Sequence, residues 1–279
     1  MNVIRAEFAG ACYGVQRALD LALASVSEGG RAYTLGPLIH NPQVVSDLAR
    51  RGISAVGEVS EVGYGGTVII RSHGVTPAVK RSVVERDLPL VDATCPHVMR
   101  AQKAAAALAT QGRHVVVVGE AGHPEVEGLV AYAHEAGGAV SVVADPADLP
   151  VGIADPVGIV VQTTQTRAAL DAIVAALAER GIEPLVKNTI CFATSQRQEA
   201  AAALADSVDA IVVIGGRNSS NTTRLADICA AACARTHHVE APAELDPTWF
   251  EGCTTVGVTA GASTPEDQIE AVVAQLEAW

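Results

Sequence analysis

HVVVVGEAGHPEVEG, residues 114–128, is the stretch on which the reading of the fold turns. Its four consecutive valines do not alternate with polar residues, which is the pattern of a strand covered on both faces. Glycine, histidine and proline then break the run into a polar loop, and a helix after it carries Leu129 to Tyr132. Upstream, VMRAQKAAAALATQG (98–112) reads as a helix stopped by Gly112. A buried strand set between helices is the building block of an α/β fold with parallel sheets.

The same order occurs three times, and a cysteine opens each round. Cys12 precedes the helical VQRALDLALA (15–24), which Gly29-Gly30 is expected to end, then AYTLG (32–36) and the loop IHNP (39–42). A helix from Gln43 to Arg51 and the strand TVIIR (67–71) lead into SHGVTP (72–77). Cys95 opens the second round, which continues through GIVVQ (158–162) into TTQT and a helix from Arg167 to Arg180. Cys191 opens the third, with ATSQRQEAAAALADS (193–207) as helix, AIVVIGG (210–216) as strand and RNSSNTT (217–223) as loop. The helix RLADICAAACA (224–234), the strand VGVTA (256–260) and GASTPED complete it. Cys12 to His40, Cys95 to His123 and Cys191 to Ser219 are each separated by 28 positions.

The expectation is therefore a three-lobed, pseudo-threefold α/β trefoil of small, mostly parallel sheets flanked by helices, with lobes 1–94, 95–190 and 191–279. One thiol per lobe points to a central metal or iron–sulfur site. Ligands of such sheets lie beyond the carboxyl ends of the strands. The strand-end loops there carry His40, His73, His123, Thr163, Thr164, Ser219, Ser220, Asn221 and Ser263.

Composition narrows the class. The chain has 279 residues and a formal net charge of −12, so a nucleic-acid footprint, which needs a basic face, is not expected. No run reaches the ~18 apolar residues of a membrane span, and the start MNVIRAEFAG lacks the pattern of a signal peptide. A soluble, cytoplasmic protein without a membrane partner is expected. In that setting six widely spaced cysteines read as ligands or buried fillers rather than disulfide partners.

A single cysteine is best read as a small apolar core residue, and three at equivalent points of a repeat are better read as ligands. Cys229 and Cys233, four apart on an alanine-rich helix, belong to packing, and Cys253 has no equivalent. Three thiolates can bind zinc with one open position, or hold an iron–sulfur cluster. A cubane with three cysteines leaves one iron open to a substrate oxygen, which favours a reductase. Asn218 to Thr223 and Gly261 to Pro265 precede helices, where hydroxyls and N–H groups can cradle an anion. Glu125 and Glu127 are both placed to move protons, and spacing alone does not choose between them.

CYGVQRA (12–18), HNPQVV (40–45), RSHGV (71–75), DATCP (92–96), GHPEVEG (122–128), QTT (162–164), ICFATSQRQEA (190–200), NSSN (218–221) and TAGAS (259–263) occur in that order across nearly the whole chain. In these motifs the chain resembles the LytB (IspH) family of 4-hydroxy-3-methylbut-2-enyl diphosphate reductases. The resemblance implies a [4Fe–4S] cluster on Cys12, Cys95 and Cys191 with one open iron site, and a diphosphate held by His40, His73, His123, Ser219, Ser220, Asn221 and Ser263. It implies that Thr163 and Thr164 place the hydroxyl end of the substrate, and that Glu125 rather than Glu127 donates the proton. The implied reaction is a two-electron reductive dehydroxylation to isopentenyl and dimethylallyl diphosphate, the last step of the methylerythritol phosphate route, with electrons from a ferredoxin or flavodoxin. Tyr13 and His97 depart from commoner members, and Arg71 and Arg217 flank the expected diphosphate loops. The competing readings are a non-catalytic iron–sulfur sensor or phospholigand-binding protein on the same scaffold and, behind it, a zinc hydrolase.

Overall fold

The apolar runs become the central strands of three parallel sheets in a computed structural model, which describes residues 1–26 and 31–279. In chain order the first elements are β1 (Asn2–Arg5), α1 (Tyr13–Ala24), β2 (Ala32–Leu35), α2 (Pro42–Arg50), β3 (Ile53–Val56), β4 (Thr67–Ile70), α3 (Pro77–Glu85) and β5 (Leu90–Asp92). There follow α4 (Pro96–Thr110), β6 (His114–Val118), α5 (Pro124–Glu135), β7 (Val140–Val143), β8 (Val157–Val161), α6 (Arg167–Glu179) and β9 (Leu185–Lys187). The last elements are α7 (Phe192–Ala205), β10 (Ala210–Ile214), α8 (Ser220–Ala232), β11 (Thr236–Val239), β12 (Thr255–Ala260) and α9 (Glu266–Glu277). The expected helix stop at Gly29-Gly30 lies outside the described residues.

The sheets run β3-β2-β4-β5, β7-β6-β8-β9 and β11-β10-β12-β1, with every pairing parallel. All three have the same plan, with the first and third strands of each round at the centre. In the third sheet the fourth place is taken by β1, which pairs with β12 from Asn2 opposite Thr255 to Arg5 opposite Val258. The segment 1–94 therefore contributes its first strand to the sheet of 191–279. The chain forms two compact units, one of residues 1–16, 40–44 and 192–279, the other of residues 17–39 and 45–191.

In the second unit, β6 is buried on both faces, as its four valines predict. Val116 and Val118 pack with Leu170, Ile173 and Leu177 of α6, while Val115 and Val117 pack with Ala101, Ala105 and Leu108 of α4 and Leu129 of α5. In the first unit β10 repeats this. Val212 and Ile214 meet Ile269, Val272 and Leu276 of α9, and Ile211 and Val213 meet Leu204, Leu225 and Cys229. Full burial of each such side chain contributes on the order of 1.5–3 kcal/mol. The alanines of α4 let it lie close on β8. A methyl group on Gly158 would sit 2.7 Å from Leu108 Cδ2.

Two of the expected loops are shorter than the sequence reading has them. EAGHPEVEG ends at His123, because Pro124 has its φ preset for the first helical position and starts α5 there. RNSSNTT ends at Ser219, whose side chain caps α8, so Ser220 and Asn221 stand in the first helical turn. Among the described residues, no helix is long and apolar enough to cross a membrane.

The contact between Gly158 and Leu108 is testable. Gly158→Ala alone should cost roughly 1–3 kcal/mol by overpacking, and Leu108→Ala roughly 2–5 kcal/mol by leaving a cavity. In the double variant the new methyl occupies the vacated space, so urea unfolding should give a total clearly below the sum. Additive costs would show that the two side chains do not share that volume.

Candidate functional site

The three equivalent cysteines are anchored in the same way. Each leads directly into a helix, Cys12 into α1, Cys95 into α4 as its N-cap, and Cys191 into α7. Each donates its backbone N–H to the carbonyl oxygen two residues beyond a third strand. Cys12 donates to Ala262 at 3.1 Å, Cys95 to Ser72 at 2.9 Å, and Cys191 to Thr163 at 3.0 Å. All three are partly exposed, and none of the six cysteines is in a disulfide. Accessible sulfurs at helix starts, where peptide dipoles favour negative charge, suit a thiolate-bound metal or cluster. Cys229 and Cys233 do not. They are buried in the apolar core, and desolvation pushes the Cys229 thiol up to about 12. Cys253 is partly exposed and lies 3.1 Å from Arg235 Nη1.

Two arginines fix the chain before these cysteines, and the sequence reading gave neither a role. Arg197 on α7 donates through Nε and Nη2 to Gly10 O at 3.1 and 2.8 Å, two residues before Cys12. Arg17 on α1 donates through Nη1 to Thr94 O at 3.1 Å, next to Cys95.

In the second unit the structure separates the two carboxylates that spacing left open. Glu127 is exposed, whereas Glu125 is 1% exposed and faces Thr163. The Thr163 N–H donates to Glu125 Oε1 at 2.6 Å and its hydroxyl to Oε2 at 2.7 Å. Burial pushes the Glu125 carboxyl up to about 7, against the opposing effect of both Thr163 bonds. His123 caps α5 and accepts the Glu125 N–H on Nδ1 at 3.1 Å, which leaves the ring proton of the neutral imidazole on Nε2. The His73 ring meets it edge to face, with centroids 5.5 Å apart. A turn closed by the Gly74 N–H on Arg71 O carries His73, and Gly74 takes a φ of +74° there, which favours glycine. Thr164 accepts from Gln162 Nε2 at 3.0 Å, so of the two threonines it is Thr163 that engages Glu125.

The first unit gathers the other polar residues at one corner. Ser263 donates through Oγ to His40 O at 3.1 Å, and Asn41 Nδ2 donates to Ser263 O at 3.0 Å. A Cβ on Gly216 would stand 2.8 Å from His40 O, so only glycine lets the loop before Ser219 approach this close. The Ser219 hydroxyl accepts the Thr222 N–H at 3.4 Å. Asn221 is 4% exposed, and neither its Oδ1 nor its Nδ2 has a hydrogen-bond partner among the described residues. Leaving such an amide unsatisfied costs about 1–3 kcal/mol, so both of its polar atoms are available to a partner from outside the chain. Arg217 is drawn away by Glu240 and Glu244, at 3.5 and 2.5 Å, and gives the corner no cation. Asn41 and Gln162 were each inside a quoted motif, but only the coordinates reveal their bonds.

The chain is similar to known proteins over nearly its whole length. The family model described as LytB protein matches residues 3–277. The 4-hydroxy-3-methylbut-2-enyl diphosphate reductase of Citrifermentans bemidjiense is 50% identical over 279 residues, covering 100% of this chain and 98% of that protein. The reductase of the same name from Geobacter sulfurreducens is 47% identical over 280 residues, covering 99% and 97%. A solved (E)-4-hydroxy-3-methyl-but-2-enyl diphosphate reductase, described as the terminal enzyme of the non-mevalonate pathway, is 42% identical, covers 100% of both chains and superposes with a TM-score of 0.73. The corresponding structure from Plasmodium falciparum, 24% identical, shares the fold at a TM-score of 0.87 over 99% of this chain and 87% of that one. With a family model spanning nearly its whole length and relatives of such identity, the chain belongs to the LytB family.

Proposed function

We propose that this chain reduces 4-hydroxy-3-methylbut-2-enyl diphosphate to isopentenyl and dimethylallyl diphosphate. The family is one of iron–sulfur enzymes, and its relatives carry the name of this reductase over the full length. Cys12, Cys95 and Cys191 would hold a [4Fe–4S] cluster with one iron left without a thiolate. Bound there, the cluster supplies two electrons, received from a ferredoxin- or flavodoxin-class donor, and a Lewis-acidic iron.

The chain's own residues do the rest. The diphosphate oxygens are taken by His40, His73, His123, Ser219, Ser220, Asn221 and Ser263, all of them neutral or imidazole donors. Hydrogen bonds to an anion are roughly twice as strong as neutral ones, so such a set can replace lysine and arginine. Thr163 and Thr164 place the hydroxyl end. Glu125, whose carboxyl is pushed up to about 7, is about half protonated at neutral pH, and in that form it gives its proton to the departing hydroxyl. The C–O bond breaks, water leaves, two electrons enter the allyl system, and a second proton at either end of it yields one product or the other. The single observation that carries this reading is the buried Glu125 carboxyl held from both oxygens by Thr163.

Changing Cys12, Cys95 or Cys191 to serine should abolish the cluster, whereas Cys229→Ser should retain it. Iron and sulfide analysis of anaerobically purified protein checks both. A colourless, iron-free wild type prepared in that way would refute the cluster itself.

The acid role of Glu125 has a definite sign in pH. A general acid works while protonated, so kcat/KM should be full below about 7 and fall as pH rises through it. Thr163→Val removes a bond that stabilises the carboxylate, so that fall should move to higher pH. Glu125→Gln should keep the cluster and substrate binding but lower turnover by roughly 10²–10⁴-fold. Full turnover in Glu125→Gln would exclude it as the proton donor.

A further inference from the structure

Three sheets share one plan, and the side chain that closes the end of the central strand pair differs from one to the next. In the sheets of β2 to β5 and β6 to β9 the connections from the first and third strands leave in opposite directions, so a crevice opens beyond the carboxyl ends of that pair, whereas in the third sheet β12 leads only into α9. Beyond β6 and β8 the place is filled by Gln162, fully buried, which accepts the Glu120 N–H and donates to Thr164. Its side chain lies where a Cβ on Gly119 would be, 2.9 Å away. Beyond β10 and β12 the buried Thr222 and Thr264 fill it, their hydroxyls 2.9 and 2.6 Å from the corresponding place on Gly215.

Beyond β2 and β4 Arg71 takes that place, with Nη1 against the Cβ position of Gly36, and a cavity of about 620 Å³ opens beside it. Ligand pockets run from about 300 to 1,000 Å³. Leu35, Val59 and Val79 give it an apolar wall, and Ser82 lines it as well. Arg71, the residue after β4, holds the position that Gln162 holds after β8, and its guanidinium lies over Gly36. Its Nε donates to Gly74 O at 3.2 Å, while its two Nη groups have no acceptor among the described residues. The second arginine of the cavity, Arg86, is engaged by Val59 O and Val62 O. A half-buried cation with a vacant fork facing an open volume matches an oxyanion in geometry and charge. Glu58 and Glu127, also in the wall, oppose a multiply charged group.

We propose that this cavity is a second ligand site, for a small organic molecule with one carboxylate or phosphate group seated on the Arg71 fork and an apolar body against Leu35, Val59 and Val79. It does not depend on the reductase reading. The site is coupled to the His73 turn, because the same guanidinium that takes the ligand holds Gly74 O. By linkage, whatever orders that turn also changes affinity in the cavity.

The probes are benzoate and phenyl phosphate, which share a ring and differ in the oxyanion. Each is titrated by calorimetry into the intact protein, with the His73 ring resonances followed by NMR. At least one probe should saturate and shift those resonances, and the tighter of the two identifies the oxyanion. Arg71→Met removes the fork and Ser82→Trp fills the cavity while leaving the fork in place. Each should weaken the tighter probe by about tenfold or more, as expected for a lost charge-assisted bond or a blocked volume. Circular dichroism verifies that both variants fold, and Val79→Phe replaces Ser82→Trp if that one does not. No saturable binding of either probe to the wild type, or binding that either substitution leaves unchanged, would overturn the proposal.

Discussion

The hydrogen bond from each cysteine N–H to a carbonyl two residues past a third strand is the constraint on which the site depends. It ties Cys12 to Ala262, Cys95 to Ser72 and Cys191 to Thr163. A thiol on a loop would wander with that loop, whereas these three are registered to buried parallel strands. The next residue along each acceptor segment is Ser263, His73 or Thr164. One backbone bond therefore sets a sulfur and a polar side chain in fixed relation, three times over. Arg17 and Arg197 brace the carbonyls just upstream, at Thr94 and Gly10, so both sides of the cysteine segment are held for Cys12 and Cys95.

Electrostatics then explains why a chain of net charge −12 can handle an anionic substrate. Local fields, not net charge, govern a pocket. The proposed diphosphate residues are hydroxyl, amide and imidazole donors, and Arg217, two residues before Ser219, is held by Glu240 and Glu244. A strongly cationic corner would bind the diphosphate group equally well in substrate and product and slow release. Glu125 is buried against Thr163, and that burial raises its carboxyl to about 7, so a large share of it still holds a proton at neutral pH.

Much of this was legible in the sequence, for reasons that differ by residue. The central strands β4, β6, β8 and β10 declare themselves through apolar runs, because both their faces are buried, while β2 and β12 carry Thr34 and Thr259 within theirs. Edge strands such as β5, LVD, and β9, LVK, are three residues long and half exposed, so no period stands out. That β1 completes the sheet of β10 and β12 is a pairing across more than two hundred positions, and local pattern carries no trace of it. The equal interval of 28 positions from Cys12, Cys95 and Cys191 to His40, His123 and Ser219 singled out these cysteines as candidate ligands without any geometry. It could not separate Glu125 from Glu127, since both follow His123 at the start of one helix. Burial separates them, and burial is a tertiary property. Family resemblance supplied the choice in advance because it carries tertiary information that spacing does not.

The threefold plan also shows where specific chemistry has to enter. Position two after the equivalent polar residues His40, His123 and Ser219 is occupied by Pro42, Glu125 and Asn221. All three places fall in the first turn of a helix, Pro42 as the first residue of α2 and Glu125 and Asn221 as the second residues of α5 and α8. What differs is the segment facing them. Only after β8 does the chain present a threonine whose N–H and hydroxyl can both donate to a carboxylate, and only there is an acid found. Thr163 is also the residue whose carbonyl accepts Cys191. One residue thus sets a sulfur with its carbonyl and an acid with its N–H and hydroxyl. A repeat supplies equivalent backbone positions, and function begins where the side chains at those positions stop being equivalent.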